Sequence, residues 1–171
     1  RNKICLYIDN KLQYDVDDPD TVMSAELSSN GDVVVVTDKS SYRGGISVYN
    51  KSGEQIFSWA SGSDAVICAD ISAASRSVAV ALLNSDVTAK TTVQLFNVNE
   101  TESYAKIEMP DTVVYELQFV GDKVNAFGDN RVTGISSSGK IVYDNDFSNV
   151  QLTHSAIDSN GKKMLEFDEG N

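Results

Sequence analysis

The turn Ser28-Ser29-Asn30-Gly31-Asp32 returns 130 residues later, Gly31 to Gly161, as Asp158-Ser159-Asn160-Gly161-Lys162. That spacing is three periods of about 43 residues, the length of one four-stranded propeller blade. Two worn copies stand between them, Ser72-Ala73-Ala74-Ser75-Arg76 and Val120-Gly121-Asp122-Lys123. A second mark keeps the same phase. Lys51-Ser52-Gly53-Glu54 recurs as Ser137-Ser138-Gly139-Lys140, Gly53 to Gly139, 86 residues on, which is two periods of about 43.

Between these marks the apolar runs are short, rich in Val, Ile and Tyr, and bounded by Gly, Asn, Asp or Ser, the signature of strands and hairpins. The first unit predicts strands over 22–28, 33–37, 46–50 and 55–59, with Asn30-Gly31 supplying the positive φ of a tight turn. The second predicts 66–72, 78–83, 92–98 and 104–109; the third, 113–119, 123–127, 131–136 and 140–143. Pro19 and Pro110 are expected in connections, where a missing N–H breaks no ladder. No amphipathic helix is expected.

At the two ends the units are halved: 4–8 and 12–16 read as the third and fourth strands of a blade, 152–158 and 163–167 as the first and second. The chain is therefore expected to be one all-β, β-propeller-like domain over 1–171 with about four blade-equivalents of four antiparallel strands. It divides into a half-blade at 1–17, blades at 22–60, 66–109 and 113–144, and a half-blade at 151–168. Two arrangements fit. The half-blades join into a split blade that closes a ring and removes open edges, or the chain is an arc of a larger propeller. An arc exposes apolar blade faces and invites a homodimer of eight blades.

The 14 basic against 25 acidic residues give a net charge of -11, which repels phosphate backbones and anionic headgroups. Nucleic acid is not an expected partner. No run reaches the roughly 20 apolar residues of a membrane span, so a membrane is reached only through an N-terminal anchor outside this stretch. Arg1 in place of an initiating Met points to such a longer chain. Cys5 and Cys68 form no CxxC and have no ligand histidine near them; both are expected as small buried apolar side chains, with a disulfide as the alternative.

Chemistry-bearing motifs are sparse. One histidine, His154, cannot make a polyhistidine metal site, and no Gly-x-Ser-x-Gly elbow accompanies it. Gly44-Gly45 precedes a strand and opens no phosphate-binding helix. Asp15, Asp17, Asp18 and Asp20 lack the glycine and terminal glutamate of a calcium loop and read as an acidic connector. No cofactor, metal or catalytic residue is expected. Repeat alignment places Glu26, Asp70, Gln118 and Ala156 at equivalent points of the innermost strands, which line the channel of a propeller; Glu26, Asp70 and Gln118 are the candidate channel site. Tyr42, Arg43, Asp86, Asp129 and Arg131 fall in connections gathered on one rim, the candidate partner surface. Ile56, Phe57 and Trp59 are expected to pack between blades. The sequons at Asn50 and Asn99 sit in turns that favour asparagine for backbone reasons.

The run from Tyr42 to Trp59 (YRGGISVYNKSGEQIFSW), with Ala69-Asp70-Ile71-Ser72 and Val124-Asn125-Ala126-Phe127-Gly128-Asp129-Asn130, resembles an uncharacterised family of propeller-like proteins from Gram-positive clostridia. Related patterns occur in WD-type and quinoprotein-like propellers. The resemblance covers roughly residues 25 to 167. It implies an extracytoplasmic propeller carried by a single N-terminal membrane span, with no assigned activity. The expected function is a non-enzymatic scaffold that binds a protein or cell-envelope component. A polysaccharide hydrolase or lyase with a carboxylate-lined channel or rim, and a cytoplasmic WD-like assembly module, are the alternatives.

Overall fold

The computed structural model describes residues 2–74, 76–84, 86, 88–148, 150–158 and 162–168. Among them all regular structure is strand. β1 (Asn2–Ile8) and β2 (Lys11–Asp18) form a hairpin. Three four-stranded antiparallel sheets follow, each in sequence order. The first holds β3 (Thr21–Leu27), β4 (Val33–Asp38), β5 (Gly45–Tyr49) and β6 (Gln55–Ala60); the second, β7 (Ala65–Ile71), β8 (Ser77–Asn84), β9 (Lys90–Asn97) and β10 (Ala105–Pro110). The third holds β11 (Val114–Val120), β12 (Lys123–Gly128), β13 (Arg131–Ile135) and β14 (Ile141–Asp146), and a last hairpin joins β15 (Gln151–Ile157) to β16 (Lys163–Asp168).

The repeated turns have a local cause. Gly53 (φ 80°) and Gly139 (φ 77°) take the left-handed backbone that glycine reaches without a Cβ penalty. Their N–H groups close onto the carbonyls of Asn50 and Ser136 at 2.8 and 2.9 Å. The repeat unit is thus a turn geometry as much as a sequence. The distal copy, Ser159-Asn160-Gly161, lies outside the described residues.

Val33, Val34, Val35 and Val36 are all buried, because β4 is covered on both faces and its apolar residues need not alternate. Val34, Val36, Ile46 and Val48 face Val78, Val80 and Leu82 of the second blade, while Ala79, Ala81, Val93 and Leu95 face Val114, Val124 and Ile135 of the third. The Phe96 ring, fully buried, stands 5.9 Å from Phe57 and 5.1 Å from Trp59. Each fully buried valine or leucine contributes roughly 1.5–3 kcal/mol, so the blades are held by the faces they share.

Of the two arrangements that fit the repeat, the structure has the unclosed one: among the described residues β1–β2 and β15–β16 are separate two-stranded sheets, the first packed on Val33, Val35 and Tyr49, the second on Phe127 and Val132. Three expectations need correction. Pro110 ends β10 and pairs with Lys90, tolerated because β10 is an outermost strand whose far edge needs no donor. Ile56 is exposed, since it points away from the face that carries Phe57. Cys5 is also exposed, lying on the face of β1 opposite to Ile4 and Leu6.

Candidate functional site

Every innermost strand carries an irregularity at the same step. The pairing register shifts between Val22 and Ser24, Val66 and Cys68, Val114 and Glu116, and Leu152 and His154. A bulge re-aims the strand beyond it. Counting from it, Ser24, Cys68, Glu116 and His154 are equivalent. Two residues on, and so on the same face, stand Glu26, Asp70, Gln118 and Ala156.

Glu26, Asp70 and Gln118 line one cavity of about 200 Å³, together with Glu116, Ser28 and Phe119. Among the described residues of its wall there is no lysine, arginine or histidine. Asp70 is the fixed member. Its Oδ2 accepts the Phe119 N–H at 2.5 Å and its Oδ1 the Ile71 N–H at 2.8 Å, so its carboxylate ties the innermost strand of the second blade to that of the third. Burial is the main reason its pKa is pushed up to about 6; Glu26 and Glu116 add to the rise, and the two N–H donors oppose it. Burial, then Glu116, also lifts Glu26 above the usual carboxylate range. Cys68, one step away on the same face, is pushed up to about 12, by burial first and then by Glu116, Asp70 and Glu26. It therefore stays a thiol at neutral pH and is no nucleophile.

Glu116 is the residue that sequence alignment missed. Ser155 Oγ donates to its Oε2 at 2.7 Å, linking β11 to β15. Its position two residues before Gln118 was the available signal, hidden because its equivalents are serine, cysteine and histidine. The Gln118 side-chain oxygen is buried with no hydrogen-bond partner, an acceptor without a donor. Ala156 is exposed and lines no part of the cavity.

The rim candidates lie in three different blades. Arg131 is the first residue of β13 rather than a loop residue, and its guanidinium reaches Asp144 at 3.3 Å and Asp146 at 4.0 Å within its own blade. Asp129 Oδ1 accepts the Val113 N–H at 3.0 Å, and the Arg43 backbone bonds Ser61 and Val66. Tyr42 is exposed, and Asp86 lies in the loop after β8, where its N–H donates to Asn84. Of the acidic connector, Asp15 pairs with Lys3, while Asp18 accepts the Tyr49 hydroxyl at 2.7 Å and the Asp20 N–H. Among the described residues no three His, Cys, Asp or Glu side chains are arranged to hold a metal ion, the cavity carboxylates included.

A family model matches residues 1–165. The chain belongs to the family of unknown function DUF5711. No curated protein matches this DUF5711 chain. Among solved structures it is similar to a protein of unknown function from Bacteroides caccae, with a TM-score of 0.54 and 15% identity over 91% of this chain and 57% of that one. It is also similar to a chain of the mitotic checkpoint complex, with a TM-score of 0.62 and 14% identity over 85% of this chain and 46% of that one. At such identities the likeness shows the fold alone, a WD40-like propeller type. The DUF5711 chain spans about half the length of these structures.

Proposed function

We propose that this DUF5711 chain is a non-enzymatic binding propeller of the cell envelope, and that its inner-strand cavity receives a basic side chain of a protein or envelope partner. One observation carries the reading. Three carboxylates, Glu26, Asp70 and Glu116, and the unpartnered Gln118 oxygen border a single cavity whose wall, among the described residues, holds no cation. Acceptors too dispersed for one metal ion suit a guanidinium or ammonium, whose several donors spread over a similar width. Binding is favoured over hydrolysis because Asp70, the most perturbed acid, has each oxygen committed to a backbone N–H.

The test is fluorescence anisotropy with a labelled arginine-containing peptide and its citrulline counterpart, on the wild type and on Glu26→Gln and Glu116→Gln. Because the chain's net charge attracts any basic peptide, Glu54→Gln serves as a surface control. Loss of at least tenfold affinity in the cavity variants alone is the expected result; equal losses in all three variants refute the cavity as the site. An envelope location rests on the clostridial family resemblance. Fusion of the native protein to a reporter active only outside the cytoplasm tests it, and an inactive fusion ends that part of the reading.

A further inference from the structure

Beside the acidic cavity, and sharing a wall with it, lies a second cavity of about 200 Å³. Phe119 lines both, and of two successive residues in the turn after β7, Ala73 lines the first and Ala74 the second. The second cavity is walled by the second and third blades, and its character is the reverse of the first. Leu95, Tyr104, Phe119 and Val124 line it. Several polar groups of its wall bond one another: Ser72 Oγ accepts the N–H groups of Arg76 and Ser77 at 3.2 and 3.1 Å, and Ser137 Oγ donates to Asp122 at 3.2 Å. Most of the surface left for a ligand is apolar. A dry cavity of about 150 Å³ holds a benzene molecule, so this one admits a leucine or phenylalanine side chain.

We propose that the two cavities are neighbouring subsites for one extended peptide segment: the partner that places a basic side chain among Glu26, Asp70 and Glu116 places an apolar side chain, two residues along, in the second cavity. The inference rests on the reading of the acidic cavity given above. The spacing follows from the common wall. Two cavities of about 200 Å³ that share a wall have centres about one cavity width, roughly 6 Å, apart, close to the roughly 6.6 Å between alternate side chains of an extended chain. Charge decides which side chain goes where. Arg76 is the one cation among the described residues of the second wall, and it repels a second basic group, whereas the carboxylates of the first attract one. The wall also couples the subsites. Asp70 Oδ2 accepts the Phe119 N–H at 2.5 Å, while the Phe119 side chain packs on the core shared by the second and third blades. An apolar side chain seated against Phe119 adds to that packing at the residue whose N–H steadies the carboxylate, and side chains anchored in such pockets carry most of the energy of an interface.

Fluorescence anisotropy with three labelled peptides tests this. The first carries one arginine with leucine two places to either side, which serves both chain directions; the second has alanine for leucine; the third has citrulline for arginine. On the wild type, alanine for leucine is expected to weaken binding about tenfold. That ratio is expected to fall to near one in Ala74→Phe, which fills the cavity, and in Tyr104→Ser, which removes part of its wall, while the arginine-to-citrulline ratio keeps its wild-type value in both variants. Ala74 and Tyr104 are exposed, so both variants keep the fold, read from unchanged Trp59 emission. A leucine-to-alanine ratio of one on the wild type, or one that neither variant alters, overturns the inference, and arginine still surpassing citrulline then leaves the acidic cavity standing. Equal binding of the arginine and citrulline peptides removes the reading of the acidic cavity, and this inference with it.

Discussion

Replacing Asp70 by Asn removes a titration that the structure makes costly. The carboxyl is pushed up from 3.8 to about 6 by burial, then by Glu26 and Glu116. In the unfolded chain the proton leaves near pH 4, in the folded chain near pH 6, so the folded state binds the extra proton between those values. Stability from this group is therefore full below pH 4, declines as the pH rises through 4 to 6, and stays lowered above it. A two-unit displacement is worth about 3 kcal/mol. Asn cannot titrate, and its amide can accept only one of the two N–H bonds that Asp70 accepts, a loss of about 1 kcal/mol at every pH. Urea unfolding followed by the emission of Trp59, the one tryptophan, at pH 4.5, 5.5, 6.5 and 7.5 measures the difference between wild type and variant. That difference should move by about 2 kcal/mol in favour of Asn across the series, since at pH 4.5 the unfolded carboxyl is already largely ionised, equivalent to roughly 4–8 °C in Tm. Parallel curves, with a difference constant from pH 4.5 to 7.5, refute the argument. The exposed Asp15 and Asp146, whose pKa values are lowered, act with the opposite sign in both proteins and cancel in the comparison.

Phe96→Ala should cost about 3–5 kcal/mol, because its ring is fully buried against Phe57 and Trp59 at the joint of the first two blades; a red shift of Trp59 emission in the folded protein reports the cavity, and a change below 1 kcal/mol contradicts that packing. Tyr49→Phe leaves Asp18, 5% exposed, without the hydroxyl that donates to it, and should cost about 1–3 kcal/mol, read by urea unfolding at pH 7; a neutral result means that water replaces the hydroxyl.

The blade count was legible because each repeat is marked by turns whose backbone demands particular residues: Gly53 and Gly139 sit in the same left-handed turn. The strand content of 33–36 was legible from its valines, and the gathering of Glu26, Asp70 and Gln118 from their common place in the repeat. Closure was not. Whether β1 meets β16 depends on the rotation between neighbouring blades, which is set by the volumes at the shared faces, such as Ala79 and Ala81 against Val114 and Val124, and by no single motif. Glu116 was illegible for a related reason. A bulge adds one residue to a strand, and only the pairing of Glu116 with Phe127 shows which side of the sheet it reaches. At the rim the sequence shows only polar residues in connections, and not that Asp129 accepts the Val113 N–H or that Arg131 pairs with Asp144 in its own blade.

The same geometry that joins the blades also makes the cavity acidic. A carboxylate at the Asp70 position accepts a backbone N–H of the next blade's inner strand, that of Phe119, and so stabilises the joint. Yet the position also brings its charge toward Glu26 and Glu116. Hydrogen bonding and repulsion therefore oppose each other at one residue, and the upward pKa shows that burial and repulsion prevail over the two N–H donors. A cation placed among the three carboxylates reverses the balance, since it lowers the cost of the charge that the N–H donors already hold in position. Binding of a basic group and stiffening of the joint between the second and third blades are then one event. Ligand should raise the unfolding midpoint more at pH 7.5 than at pH 4.5, where Asp70 is protonated and has no charge left to neutralise.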